Sequence, residues 1–120
     1  MPSAADHSEW ASRNEKLFSE LGASSGNWPD WCMTLLFYAA LHEIMSTLTA
    51  QRSALAISLP RTHADRRGLL RQRWPDIATT YDALYGWSRR ARYDCWLPAK
   101  FQIDLAAQQL VDLRQKLTTI

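Results

Sequence analysis

Arginine and aromatic side chains are concentrated in the second half of this 120-residue chain. Eleven of the fourteen basic residues are arginine, and eight of those eleven fall between residues 61 and 92. Tyr85, Trp87, Tyr93 and Trp96 lie among the last of them. The planar guanidinium group suits phosphate and carboxylate, and aromatic rings stack on unpaired bases. The pattern therefore favours an anion-binding surface, although a solvated helix face whose arginine stems cover apolar groups would produce the same pattern.

The spacing of these residues places several of them on one helical face. Tyr85, Arg89 and Arg92 follow one another at steps of four and three residues, which is the repeat of one side of a helix. An earlier basic segment precedes them. The candidate ligand contacts are His63, Arg66, Arg67, Tyr85, Arg89, Arg92 and Tyr93.

Signatures of catalysis and metal binding are sparse. The chain has neither a nucleophile elbow nor a glycine-rich phosphate loop. Asp82 and Asp94 are twelve residues apart on one expected helix, about 18 Å, which is too far for an acid–base pair. If the protein were an enzyme, His42 and Arg92 would be the candidate catalytic residues. Three scattered histidines and two cysteines give no usual ligand spacing, so we expect neither a metal nor a cofactor.

Length and composition limit the chain to one domain. A chain of 120 residues supports one core, and we expect residues 1–120 to form a single domain with frayed ends at 1–7 and 118–120. Its longest apolar run, residues 35–41, is far shorter than the roughly 20 residues of a membrane span. The N-terminus does not resemble a signal peptide. We therefore expect a cytoplasmic protein whose cysteines are buried and reduced.

Hydrophobic periodicity predicts five helices and no strands. The expected helices start at Asp6 or Ser8 and end at Gly22, and then cover about residues 31–51, 63–73, 75–97 and 98–117, with loops at 23–27 and 51–60. Proline favours the start of the second helix, and Thr62 favours the start of the third. The second helix is apolar on nearly every side and should be central. The fold class is therefore an all-α, up-and-down bundle of four long helices and one short helix.

The same periodicity assigns inward faces to individual helices. In the first helix, the aligned face contains Trp10, Asn14, Leu17 and Leu21, with Ala11 and Phe18 beside it. In the fourth helix, the expected buried stripe is Ile77, Tyr81, Leu84, Ser88, Ala91 and Cys95. Gly86 interrupts that helix, and we expect it to permit close contact with another helix, because glycine there otherwise costs about 1 kcal/mol relative to alanine.

Four segments resemble the HEPN domain family, named for its occurrence in higher eukaryotes and prokaryotes. FYAALH at 37–42 is similar to an aromatic-rich helix that ends in a histidine, and PRTHADRRGLL at 60–70 resembles the family's Thr-His element. RRARYD at 89–94 resembles the close of the next helix, and residues 101–117 resemble the Ala-rich last helix. The resemblance covers about residues 28–117 and implies a helical bundle that frequently forms dimers.

Members of that family include toxin ribonucleases, partners of small nucleotidyltransferases, and non-catalytic modules that bind nucleotides or RNA. The catalytic branch needs an arginine followed four to six residues later by a histidine, which would pair a cation for phosphate with a proton-transferring imidazole. No histidine follows Arg89, Arg90 or Arg92 in this chain. The resemblance therefore implies the non-catalytic branch.

The sequence leaves three functions open. The leading prediction is a homodimeric, HEPN-like binding domain for a nucleotide, RNA or a partner protein such as a nucleotidyltransferase. The second is a ribonuclease of toxin type, in which His42 or His63 approaches Arg92 from another helix. The third is an antitoxin-like or dimeric interaction protein, because interfaces favour Trp, Tyr and Arg.

Overall fold

Five helices account for most of the computed structural model, which describes residues 1–23 and 26–120. They are α1 (Ala4–Ala23), α2 (Pro29–Leu55), α3 (His63–Arg73), α4 (Pro75–Tyr93) and α5 (Lys100–Leu117). The described residues form no strand. The predicted all-α bundle of four long helices and one short helix is confirmed. Of the loop expected at 23–27, residues 24 and 25 lie outside the described residues.

The apolar helix α2 forms the centre of the bundle, as its composition predicts. Pro29 begins it at a position where the missing N–H carries no cost. Met33, Leu36, Ile44 and Leu48 are almost fully buried, and α1, α4 and α5 pack against this helix. α2 extends to Leu55, beyond the expected end near residue 51, and terminates where Ala56 adopts the left-handed conformation with φ of 53°. The helix thus provides the scaffold that holds the other elements.

Helices α3 and α4 pack against each other and form a nearly continuous unit around Trp74. α3 ends at Arg73 because Trp74 precedes a proline, and the residue before a proline avoids the helical region. Pro75 then begins α4. In α4 the side chains of Ile77, Leu84 and Ala91 are buried, as the three- and four-residue spacing predicts. The opposite side of α4 consequently faces α3 or solvent.

Three expectations about α4 are wrong. The helix ends at Tyr93, not near residue 97, and Cys95 has a left-handed backbone with φ of 52°. Cys95 is therefore an exposed free thiol, whereas Cys32 is buried as predicted. Gly86 makes no close helix contact, since a Cβ added there would meet nothing within 4 Å.

Helix α1 also differs from its predicted face. Trp10 and Leu17 are 48% and 44% exposed, and Ala11 is the fully buried residue instead. The helix begins at Ala4, earlier than Asp6 and within the segment expected to fray. The backbone carbonyl of Ala4 accepts a hydrogen bond from Ser46 Oγ of α2 at 2.9 Å, which fixes this end of the helix.

Candidate functional site

The first turn of α3 places a histidine against the side of α4. Thr62 Oγ1 accepts a hydrogen bond from the Asp65 amide at 3.0 Å, and the Asp65 carboxylate accepts one from the Thr62 amide at 3.4 Å. This reciprocal cap starts the helix at His63. The His63 ring then stacks on Tyr85 of α4, with 3.4 Å between ring centroids and 19° between planes.

The hydroxyl of Tyr81 on α4 forms hydrogen bonds with two side chains of α3. Tyr81 is fully buried, and its oxygen lies 2.7 Å from His63 Nδ1 and 3.2 Å from Arg66 Nε. Because arginine can only donate, the phenol accepts from Arg66 and is free to donate its own proton to His63. Burial raises the pKa of Tyr81, so the phenol is neutral at physiological pH.

His63 is held as a neutral imidazole in this arrangement. Burial lowers its pKa, and the guanidinium groups of Arg67, Arg66 and Arg89 lower the pKa further. With Nδ1 accepting from Tyr81, the remaining proton lies on Nε2, which is buried and has no partner within the described chain. The ring therefore acts as a packed hydrogen-bond acceptor and does not present a proton to solvent.

Two of the α3 arginines are neutralised by a single carboxylate of α4. Asp82 accepts from Arg67 Nε at 2.7 Å and from an Arg71 terminal nitrogen at 3.2 Å. Burial alone would raise the pKa of Asp82, but the hydrogen bonds from Arg67 and Arg71 outweigh burial and lower it. Arg67, one of the predicted ligand contacts, forms an ion pair with Asp82 in the structure.

The other arginines bond to tyrosine hydroxyls instead. Arg66 donates to Tyr81, as described above. Arg89 donates to the Tyr85 hydroxyl at 3.3 Å. Arg92 donates to Tyr38 at 3.0 Å and to Ser88 Oγ at 3.2 Å. None of the three forms an ion pair with a described carboxylate. We call this set, Arg66, Arg89 and Arg92 with Tyr81, Tyr85 and Tyr38 and the neighbouring Tyr93, the arginine–tyrosine surface.

Tyr93 forms the outer end of this surface. The guanidinium carbons of Arg89 and Arg92 lie 5.2 Å and 5.3 Å from its ring centroid, which is within cation–π range. The side chain is 65% exposed. In contrast, one face of the Tyr85 ring is covered by His63. Tyr93 is therefore the aromatic group of the surface with the most freely accessible ring.

The predicted site residues thus separate into groups. His63, Arg66 and Tyr85 meet around the Tyr81 hydroxyl, and Arg89 lies beside them. Arg92 and Tyr93 lie at the C-terminal end of α4. Tyr81 and Tyr38 were not predicted as polar partners, since Tyr81 was assigned to the buried stripe. For Tyr81 the signal was available, because a phenol in the buried stripe of a helix usually requires a hydrogen-bond partner.

His42 has a partner that sequence spacing did not reveal. Its Nδ1 lies 3.0 Å from Nδ1 of His7, with the two ring centroids 5.3 Å apart. Arg92 makes its side-chain contacts with Tyr38 and Ser88, so the two candidate catalytic residues have different partners. No group of three His, Cys, Asp or Glu side chains that could hold a metal ion occurs in residues 1–23 and 26–120.

Comparisons of the chain with protein families, with curated proteins and with solved structures found no match. Across the described part of the chain, no helix combines the length and hydrophobicity required to span a membrane.

Proposed function

We propose that this chain is a non-catalytic helical binding domain that takes an anionic nucleotide or RNA on its arginine–tyrosine surface. One observation carries the proposal. Arg66, Arg89 and Arg92 donate to phenol hydroxyls, whereas the adjacent Arg67 is neutralised by Asp82. The first three consequently keep a full positive charge that is available to a ligand.

The choice of partner matters for the electrostatics. A carboxylate would cancel most of the guanidinium charge, but a phenol only orients the planar group. Each arginine has five N–H donors, and a bond to one phenol leaves other donors for phosphate oxygens. Side chains that are already ordered also lose less conformational entropy on binding. The surface is therefore both charged and partly preorganised.

The aromatic groups support a nucleotide over a simple inorganic anion. Tyr93 presents an exposed ring next to two guanidinium groups, the combination that holds a base and its phosphate together. Base stacking on such a ring contributes about 1–3 kcal/mol per base in single-strand binding proteins. Tyr93 is accordingly the expected stacking residue, with Arg89 and Arg92 on the phosphates.

The geometry favours binding over cleavage. His63 is half-buried and hydrogen-bonded to Tyr81, its Nε2 atom is shielded from solvent, and His42 is paired with His7. The hydrogen bonds of the Arg92 side chain go to Tyr38 and Ser88, and to neither imidazole. A ribonuclease needs a cation for the scissile phosphate and an imidazole within reach of the reacting oxygen. A ribonuclease that uses His42 and Arg92 is therefore the weaker alternative.

The test is fluorescence anisotropy with a short labelled single-stranded RNA, alongside a competition with AMP. The double variant Arg89→Gln, Arg92→Gln should bind at least about tenfold more weakly, since two phosphate contacts are lost. Its affinity should also depend less steeply on salt between about 50 mM and about 200 mM. Unchanged helical circular dichroism would show that the fold is intact.

The matched control is Arg13→Gln, which removes one positive charge from an arginine that packs over Trp10 on α1. Its affinity should stay within about twofold of the parent chain, because Arg13 lies on α1, outside the arginine–tyrosine surface, and salt screens exposed charges that do not contact the ligand. The proposal fails if the parent chain binds neither probe, or if the control loses as much affinity as the double variant. RNA cleavage that His42→Ala and Arg92→Ala abolish would establish the ribonuclease instead.

A second function, homodimer formation, is favoured by a separate apolar stripe. Phe101 and Leu105 are 71% and 48% exposed and lie four residues apart on α5, and Leu97, which is 69% exposed, lies just before this helix. Exposed apolar residues at helical spacing are the usual anchors of a helix-mediated interface. Light scattering should report a dimer that Phe101→Glu converts to a monomer, and a monomeric parent at micromolar concentration would exclude this function.

A further inference from the structure

Two histidines join the N-terminal end of α1 to the middle of α2. His7 Nδ1 and His42 Nδ1 are 3.0 Å apart, a hydrogen-bond distance between two atoms of the same kind. One nitrogen must carry a proton and the other must accept it, so this contact exists only while at least one ring is neutral. We call these residues the histidine pair. When both rings are protonated, both nitrogens are donors and the hydrogen bond is lost.

We propose that the histidine pair is a proton-operated latch, which holds the first turns of α1 on α2 near neutral pH and releases them in mildly acidic solution. The latch is a property of the α1–α2 contact and does not depend on ligand binding. It would act on the N-terminal end of α1 only, because α1 is also held near its middle by an ion pair between Glu15 and Arg114.

The charges around the histidine pair favour release when it is doubly protonated. Burial lowers the pKa of His42, and the nearby His7 and Arg66 lower it further. Burial also lowers the pKa of His7, while Asp6 raises it. Asp6 is the described carboxylate that acts on the pair, and it is already hydrogen-bonded to Ser3. The added protons therefore face Arg66 of α3 with little compensating negative charge.

The direction of the pH dependence follows from these shifts. Both histidines bind protons less readily in the docked state than in the released state, where the ordinary pKa is about 6.5. Docking is consequently most favourable above about pH 6.5 and weakens as pH falls below it. Two imidazolium groups at this separation also repel each other, so the second protonation should be shifted further than the first.

Release would open the region next to Arg66. Met1 and Pro2 line a cavity together with His7, Arg61 and Arg66. Pro2 and His7 also line a second cavity that contains Asp6, Trp10 and His42. Movement of the N-terminal turns would expose this side of Arg66, and Trp10 would change its surroundings at the same time.

Amide hydrogen exchange measured by NMR tests the latch on the full chain. Between about pH 7.5 and about pH 5, the protection factors of amides 8–12 should fall at least about tenfold, because proton binding draws the docking equilibrium toward the released state. Protection factors in the core of α2 should change less. Equal protection of amides 8–12 at both pH values would overturn the proposal.

Three variants separate the latch from general acid sensitivity. His7→Gln with His42→Gln removes both titrating groups but keeps hydrogen-bonding side chains, so protection of these amides should become independent of pH. His63→Gln should leave the pH dependence as it is in the parent chain. Ser46→Ala removes the uncharged bond to the Ala4 carbonyl, and it should lower protection by the same factor at both pH values.

The ring protons provide a measurement that does not need any variant to fold. In the parent chain, the Cε1 protons of His7 and His42 should titrate in two separated steps, both below about pH 6.5. A single step at the ordinary histidine pKa for both rings would contradict the latch. Because no ligand is present, either result leaves the test of RNA binding untouched.

Discussion

Arginine is used in opposite ways on two sides of this bundle. On one side, Arg114 of α5 lies between Glu15 of α1 and Glu43 of α2, with N···O distances of 2.5 Å and 3.3 Å. Elsewhere, Arg66, Arg89 and Arg92 donate to tyrosine hydroxyls, and none of them forms an ion pair with a carboxylate in the described part of the chain. The chemistry of the partner therefore separates an arginine whose charge is neutralised within the fold from one whose charge is not.

The charge of Arg114 is neutralised by two glutamate carboxylates. Burial would lower its pKa, but the carboxylates of Glu15 and Glu43 outweigh burial and raise it. The ion pairs connect three helices whose chain segments are far apart in sequence. A phenol cannot give this compensation, so the charge of Arg66, Arg89 or Arg92 has to be balanced by solvent ions or by a ligand.

The largest expected effect concerns the buried phenol of the arginine–tyrosine surface. Tyr81→Phe removes the hydroxyl that accepts from Arg66 and contacts His63, leaving both groups without their partner. Loss of stability should be about 2 kcal/mol, because unsatisfied buried polar groups are costly. Urea unfolding measures it. Tyr85→Phe removes only the contact with exposed Arg89 and should cost less than about 0.5 kcal/mol. Equal costs would contradict the central role of Tyr81.

The next effect tests the structural side of the comparison. Arg114→Ala leaves two half-buried carboxylates beside each other and should destabilise the fold by about 1 kcal/mol, a value reduced for their partial exposure to solvent. Arg89→Ala should change the free energy of unfolding much less than Arg114→Ala, because the Arg89 side chain is exposed to solvent. The two variants can be compared by urea unfolding in one buffer. If Arg89→Ala proved the more destabilising, the distinction between the two sides would fail.

A third prediction concerns a variant that removes the carboxylate partner of two arginines of α3. Asp82→Asn removes the carboxylate shared by Arg67 and Arg71, so both guanidinium groups lose their ion pair. Stability near neutral pH should fall by about 0.5–1 kcal/mol, while RNA affinity should rise severalfold through the added positive charge. Weaker RNA binding by this variant would argue against an electrostatic surface.

The pH dependence of the same pair has a defined sign. The pKa of Asp82 is lowered in the fold, so its contribution is present above the ordinary aspartate pKa of about 3.9 and is lost as pH falls below that value. The parent chain should therefore lose more stability than Asp82→Asn between about pH 5 and about pH 3. Urea midpoints at several pH values measure this difference, and parallel curves would exclude the ion pair as its source.

The helices were predictable from the sequence, whereas the partners of the arginines were not. Thr62 and the prolines mark helix starts because capping and a fixed φ act locally. Arg66 and Arg67 are neighbours in sequence, but one residue turns a helix by about 100°. One side chain therefore reaches Tyr81 and the other reaches Asp82, and only the packing angle of α3 on α4 decides which.

Contacts between distant segments escaped prediction for the same reason. His7 and His42 are 35 residues apart, and their spacing carries no periodic signal. The sequence predicted too long a helix α4, because the apolar stripe continues through Cys95. The backbone is left-handed at Cys95, and the helix ends before it. Residue types thus indicated a basic, aromatic surface, and tertiary packing determined which of its charges were left without a carboxylate.

The smallest expected change in stability comes from filling the space beside Gly86 on the exposed side of α4. Gly86 is an exposed glycine in the helix interior, and a Cβ added to it would meet nothing within 4 Å. Gly86→Ala should therefore stabilise the chain by about 0.5–1 kcal/mol, because alanine restricts the unfolded backbone and favours helix. Thermal unfolding should show a raised midpoint.

The same variant reports on what approaches this side of α4. If ligand contact is confined to the arginine–tyrosine surface, Gly86→Ala should leave RNA affinity unchanged while it raises stability. Lower affinity would place the ligand across the exposed backbone at Gly86 as well. Lower stability would mean that another chain packs closely against Gly86, because the added methyl group would then collide with that partner.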